Sequence, residues 1–231
     1  DATPNFERKA QVVFKHQPQP FDTSNPKKIT GEFITERKMD VPKNVLPQNF
    51  WFKNEGPTWE NEFIGYRFYA DARHRFDIFG KKTSKLVLDT IAPEYHDVLS
   101  WGSDVLKVGD ALGMAAPAFW SDGKVIPFTE WDQKTIEIIA SGPLRSIFKT
   151  TFKNLKAGIN LSIGRNLVDL EQTIEFRAGE RFSDVRLKIL KTTHPYIEFC
   201  TGIVKNPAAE IFQTGLVDGH YFGYTFGKQS F

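Results

Sequence analysis

The chain has 231 residues, 40% of them apolar, 25% charged and 14% aromatic, which is enough for a sizeable core in one or two domains and excludes a wholly disordered chain. Lys and Arg number 30 against 28 Asp and Glu, a formal charge of +2, which argues against a dedicated nucleic-acid binder. No apolar run approaches the ~20 residues of a membrane span.

Residues 1–48 are polar and punctuated by Pro4, Pro18, Pro20, Pro26, Pro42 and Pro47. They predict an irregular arm with edge strands near 11–15 and 31–36, leading into a β-sandwich domain over 49–231. Residues 63–70 predict a strand with Ile64, Tyr66, Phe68 and Ala70 on one face and Phe63, Gly65, Arg67 and Tyr69 on the other. A charged stretch follows, from Asp71 to Lys82. Residues 93–99 predict one short helix with Pro93 in its first turn. Residues 107–120, rich in Gly, Ala and Pro, predict a close-packed loop.

From Thr135 onward apolar residues alternate in run after run: Ile136 and Ile138; Phe148, Thr150 and Phe152; Ile159, Leu161 and Ile163; Leu170, Gln172, Ile174 and Phe176; Val185, Leu187 and Ile189. With polar turns between them and no βαβ rhythm, these runs predict an all-β, mainly antiparallel, two-sheet sandwich with a few short helices. The single Cys200 excludes an internal disulfide and a zinc site built on several thiolates, and reads as a small buried hydrophobe. The last strand, 221–227, is apolar. An unpaired apolar edge invites aggregation, so a second chain or a further C-terminal segment is expected to complete the sheet.

The blocks Glu55-Gly56-Pro57-Thr58-Trp59-Glu60-Asn61, Tyr66-Arg67-Phe68-Tyr69, Asp71-Ala72-Arg73 and Asp77-Ile78-Phe79-Gly80-Lys81 resemble the bacterial family catalogued as domain of unknown function 4861. Tyr95-His96, the run Trp101-Gly102-Ser103-Asp104-Val105-Leu106-Lys107-Val108-Gly109 and Leu112-Gly113 fit the same family. The resemblance runs from about residue 55 to 227 and leaves the arm uncovered. Separately, Ala140-Ser141-Gly142-Pro143-Leu144-Arg145 and Ile174-Glu175-Phe176-Arg177-Ala178-Gly179-Glu180-Arg181 are similar to galactose-mutarotase-like supersandwiches. Those folds serve sugar epimerases, glycosidases and polysaccharide lyases. The resemblance implies an exported (periplasmic or secreted) protein of polysaccharide degradation, its signal segment already removed, with an acidic oligosaccharide as partner. Uronate oligosaccharides are the implied substrates, and elimination is the implied reaction.

Elimination at a uronate needs a cation on the carboxylate, a base at C5 and an acid at O4. With a sugar on O4 the enzyme is a lyase; with a free hydroxyl it is a dehydratase. Arg73 is the candidate carboxylate clamp, since guanidinium binds carboxylate bidentately, against the plainer reading of an ion-pair cluster with Asp71 and Asp77. His96 is the leading acid–base candidate and His220 the second, with Tyr66 as a phenolic partner. Arg67, on the strand, and His74 and Lys81, in the charged stretch after it, are candidate substrate contacts. Trp59, Trp101 and Tyr224 are candidate sugar contacts, against core packing, and Trp120 is a further platform. No cofactor is expected. Asp104 and Asp110 offer a weak oxygen site for a divalent cation such as calcium. Hydrolysis or epimerisation on the same sandwich stays open, as does a glycan-binding module without catalysis.

Overall fold

A computed structural model describes residues 5–91, 95, 97–160 and 164–229. The strands run β1 (Ala10–Val13), β2 (Lys15–His16), β3 (Ile34–Thr35), β4 (Lys38–Asp40), β5 (Thr58–Asn61), β6 (Ile64–Phe68), β7 (Phe76–Lys81) and β8 (Gly102–Asp104). They continue as β9 (Met114–Ser121), β10 (Lys124–Pro127), β11 (Gln133–Ser141), β12 (Arg145–Asn160), β13 (Gly164–Arg177), β14 (Ser183–Thr192), β15 (Glu198–Ile203), β16 (Ala209–Val217) and β17 (His220–Gly227). Among the described residues the only helical element is one 3-10 turn, Lys53–Glu55, so the few short helices expected reduce to that turn. The helix expected over 93–99 falls partly outside the described residues, and 97–100 form bends and coil.

Two five-stranded antiparallel sheets form the sandwich, in the orders β1-β5-β6-β7-β8 and β14-β13-β12-β11-β4. Alternation sets the inner faces. Val12, Trp59, Tyr66, Phe68 and Phe76 of the first sheet meet Phe148, Phe152, Leu170, Ile174 and Phe176 of the second in one core. The Trp59 ring lies 5.0 Å from Phe148, and the Tyr66 ring 5.7 Å from Phe176. Burying each such side chain contributes about 1.5–3 kcal/mol. The arm belongs to the same body: β1 forms one edge of the first sheet and β4 one edge of the second. Cys200 is half-buried and packs against this core.

A third sheet, β10-β9-β15, flanks the sandwich. Its central strand, β9, takes up most of the second half of residues 107–120, where composition predicts a loop. Ala116 and Ala118 are wholly buried, and their small side chains let β9 lie close against the core with a strand on either side. The alternation at 159–163, which predicts a separate strand, is the far end of β12 as far as Asn160; residues 161–163 lie outside the described residues. The C-terminal strand is paired, with β16, in a hairpin that leaves Leu216, Val217, Tyr221 and Phe226 exposed. No helix among the described residues is long and apolar enough to cross a membrane.

The outer face of the first sheet is covered too. Phe79, Leu88, Ile91 and Tyr95 make a small second core there. The Asn54 side-chain amide ties the 3-10 turn to this cover through the Leu88 carbonyl, at 3.1 Å. Charged side chains on that face are therefore shielded from bulk water, and they must find partners.

Candidate functional site

Arg67 points from β6 to the outer face, directly across from Asp77 on β7. Asp104 on β8 stands opposite Phe79, two residues further along the same face of β7. Strand pairing thus converges three side chains that are far apart in sequence. Arg67 Nη2 forms an ion pair with Asp77 and lies 3.3 Å from Asp104 Oδ2. It also donates to the Tyr69 hydroxyl at 2.8 Å, and that hydroxyl donates to Asp77 Oδ2 at 2.8 Å. Nη1 donates to the Tyr95 hydroxyl. The guanidinium lies 4.5 Å from the Tyr69 ring centre and 4.7 Å from that of Tyr95. Burial opposes its charge, but Asp77, the two phenols and Glu55 hold its pKa well above the usual arginine value.

Glu55 arrives from a strained turn. Asn54 and Glu55 have φ of 54° and 61°, in the left-handed region. Gly56 follows at φ 149°, where an added Cβ would meet the Phe68 carbonyl oxygen at 2.2 Å. Only glycine lets the chain pass so close to β6. The turn delivers the Glu55 carboxylate to 3.6 Å from Arg67 Nη1 and 3.2 Å from Arg73 Nη2. Arg73 is also gripped by Asp71, whose carboxylate accepts from Nε at 3.0 Å and from Nη2 at 2.5 Å. Its guanidinium lies 3.9 Å from the Tyr69 ring centre. Behind Asp71, the buried Lys134 amine donates to its backbone carbonyl at 2.7 Å. Burial depresses the Lys134 pKa to about 7.

These groups border a cleft of about 490 Å³ lined by Tyr69, Arg73, Arg75, Asp77, Asp104 and Lys107, among others. Arg75 is anchored by the Gly109 carbonyl and lies 3.6 Å from Asp110. Burial, with the like charge of Asp77 adding to it and Arg67 opposing, raises the Asp104 pKa to about 7. Burial pushes the Tyr69 phenol up as well, and that of Tyr95 to about 12, so both stay neutral donors. The cleft thus joins a cationic rim to a carboxyl group that exchanges its proton near neutral pH.

The structure brings Arg73 and Arg67 into one network, Arg67 buried among internal partners rather than open to a substrate, and the ion-pair reading of Arg73 holds in part, through Asp71 and Glu55. The other candidates lie elsewhere. Tyr66 points into the sandwich core and donates to the Arg181 carbonyl at 2.7 Å. Trp59 is buried in the same core and donates to Ser183 Oγ at 2.9 Å. His74 is wholly buried among Phe68, Phe128 and Phe152, 3.1 Å from Gln172 Oε1, and burial drives its pKa well down. Lys81 shares the outer face with Arg67 but is locked against Glu60 at 2.6 Å. Trp101 packs edge-on against Phe79, 6.1 Å between ring centres. His220 and Tyr224 sit on the exposed hairpin, with the Tyr224 hydroxyl donating to Gln213 at 2.6 Å. His96 lies outside the described residues.

Sequence reasoning missed the roles of Glu55, Tyr69, Arg75 and Asp104. For Tyr69 the signal was present, since it shares the Arg67 face. Asp104 and Asp110, considered as cation ligands, instead face Arg67 and Arg75 respectively. Among the described residues no group of three or more His, Cys, Asp or Glu is placed to hold a metal ion.

No curated protein matches the chain, and no solved structure does. A family match covers residues 1–231, under the description "Domain of unknown function (DUF4861)", and so includes the arm that the sequence resemblance left out.

Proposed function

The chain belongs to the DUF4861 family, and on that premise we propose that it is an exported carbohydrate-active enzyme that cleaves uronate-containing oligosaccharides by β-elimination across C4 and C5. The observation that carries this reading is the shared cleft of Arg73, Arg75 and Asp104, where a carboxyl raised to about 7 sits beside guanidinium groups. Elimination next to a carboxylate makes these two demands. The C5 proton becomes removable only as the sugar carboxylate is neutralised, a task for Arg73 with Arg75 beside it. A base with a pKa near the working pH then takes the proton, a task for ionised Asp104. The electron pair forms the C4–C5 double bond and the C4–O4 bond breaks. The proton on Asp104 passes to O4, which restores the carboxylate and balances the step. Arg67 holds Tyr69 and the two carboxylates in place without facing the sugar itself.

The test is turnover of uronate oligosaccharides, followed by the ultraviolet absorbance of the conjugated double bond. Absorbance that appears with the full chain and disappears in Arg73→Ala and Asp104→Asn supports the proposal. A rise in reducing sugar without new absorbance favours hydrolysis, for which Asp77 and Asp104 are two carboxylates bordering one cleft. Neither signal on any acidic oligosaccharide overturns the enzymatic reading.

A further inference from the structure

A second groove, of about 810 Å³, opens where the β9–β10 turn faces the connection from β14 to β15. We propose that it is a non-catalytic binding groove for a neutral oligosaccharide. Two rings form its platforms, Trp120 at 43% exposure and Tyr196 at 79%. Exposed rings of this size lose little by staying wet at one edge, and they gain by covering the C–H face of a pyranose. Trp120 stands directly across from Glu198 on β15, so a ring and a hydrogen-bond acceptor share one side of the sheet. Asp122 and Asn166 line the same groove. Carboxylates and amides of this kind pair with sugar hydroxyls, which both donate and accept.

The groove is built in advance of any ligand. His194 N donates to Thr192 Oγ1 at 3.0 Å, and Thr192 Oγ1 donates to the His194 carbonyl at 2.9 Å. His194 Nδ1 lies 2.7 Å from the Tyr196 carbonyl oxygen. These bonds fix the turn that presents Tyr196, which lowers the ordering cost of binding. On the other wall Gly158 has φ 106°, and a side chain there would meet Ser121 Oγ at 2.9 Å. Its bare backbone lets β12 close up against the β9–β10 turn.

Charge decides the ligand class. Among the described residues the groove is lined by two carboxylates, Asp122 and Glu198, and by no lysine or arginine. A uronate or sulfated chain meets repulsion here and attraction at the Arg73 cleft. Among the described residues none lines both the groove and the Arg73 cleft. The groove therefore does not depend on the proposed elimination.

Calorimetric titration of the full chain with cello-, xylo-, manno- and galacto-hexaose, and with oligogalacturonate as the acidic contrast, tests this. At least one neutral probe is expected to bind, with Trp120→Ala and Tyr196→Ala each weakening it about tenfold or more. Trp120→Phe is expected to retain part of the affinity, and elimination turnover to stay unchanged in all three variants. Failure of every neutral probe to bind overturns the proposal. So does binding that both alanine variants keep, or binding of oligogalacturonate that Trp120→Ala weakens while neutral probes do not bind. An Arg73→Ala chain that loses turnover yet keeps neutral-sugar binding separates the fate of this groove from that of the cleft.

Discussion

Asp104 Oδ2 lies 3.3 Å from Arg67 Nη2, the same nitrogen that pairs with Asp77. Burial first, and the like charge of Asp77 second, outweigh the help of Arg67 and raise the Asp104 pKa to about 7. An unfolded aspartate titrates near ~3.9. Between about pH 4 and 7 the folded chain therefore holds a proton that the unfolded chain has lost, and stability from this group falls as pH rises through that window. Thermal melts across the window are expected to show this slope in the native chain and a flatter one in Asp104→Asn. Turnover of the native chain is expected to rise through a limb near pH 7, as Asp104 ionises, and Asp104→Asn to show no turnover across the series.

Lys134 has the opposite sign. Its buried amine has a pKa depressed to about 7, whereas an unfolded lysine titrates near ~10.4. Above about 7 the unfolded chain binds the extra proton, so stability rises with pH from about 7 to 10. Lys134→Met is expected to remove that rise, as read from urea midpoints taken at intervals across the alkaline range.

Arg67→Met takes away the guanidinium that Asp77 and Asp104 share, while Arg73 stays paired with Glu55. Breaking a buried pair in this way costs about 3–5 kcal/mol. Urea unfolding is expected to show a loss of that size, with the melting slope between pH 4 and 7 changed as well.

Arg73→Ala is expected to lower kcat/KM for elimination by about 10²–10³-fold, the usual effect of removing a charge-stabilising donor, and to cost stability as well, because the buried Asp71 carboxylate loses its guanidinium partner. His220→Ala on the exposed hairpin is expected to leave kcat/KM unchanged. Tyr66→Phe removes the bond to the Arg181 carbonyl, costs about 1 kcal/mol of stability and is likewise expected to spare turnover. A fall in kcat/KM for either variant without a matching loss of folding moves the chemistry out of the cleft.

Much of the scaffold is visible in local pattern. Alternation through residues 63–70 correctly divides Tyr66 and Phe68 from Arg67 and Tyr69, because strand period alone decides those faces. The site is less visible. Arg67 meets Asp104 only through the β6–β7 and β7–β8 pairings, and register between strands is not written in residue spacing. Trp59, His74 and Lys81 looked available for ligand because their types are common in sugar sites. Burial between two layers, a tertiary property, turns them into packing and internal pairing. β9 escaped notice for a related reason: Ala116 and Ala118 have weak strand preference, and close packing overrides it.

The strands that carry Arg67 and Asp77 also carry Phe68 and Phe76 on their reverse side. A slip of a single position in either strand would exchange the two rows, driving a guanidinium and a carboxylate into oil and turning phenylalanines towards the charged cleft. Misaligned forms are thus penalised on both surfaces at once. The arrangement that readies the cleft for an acidic sugar also acts as a proofreading device for assembly of the sheet.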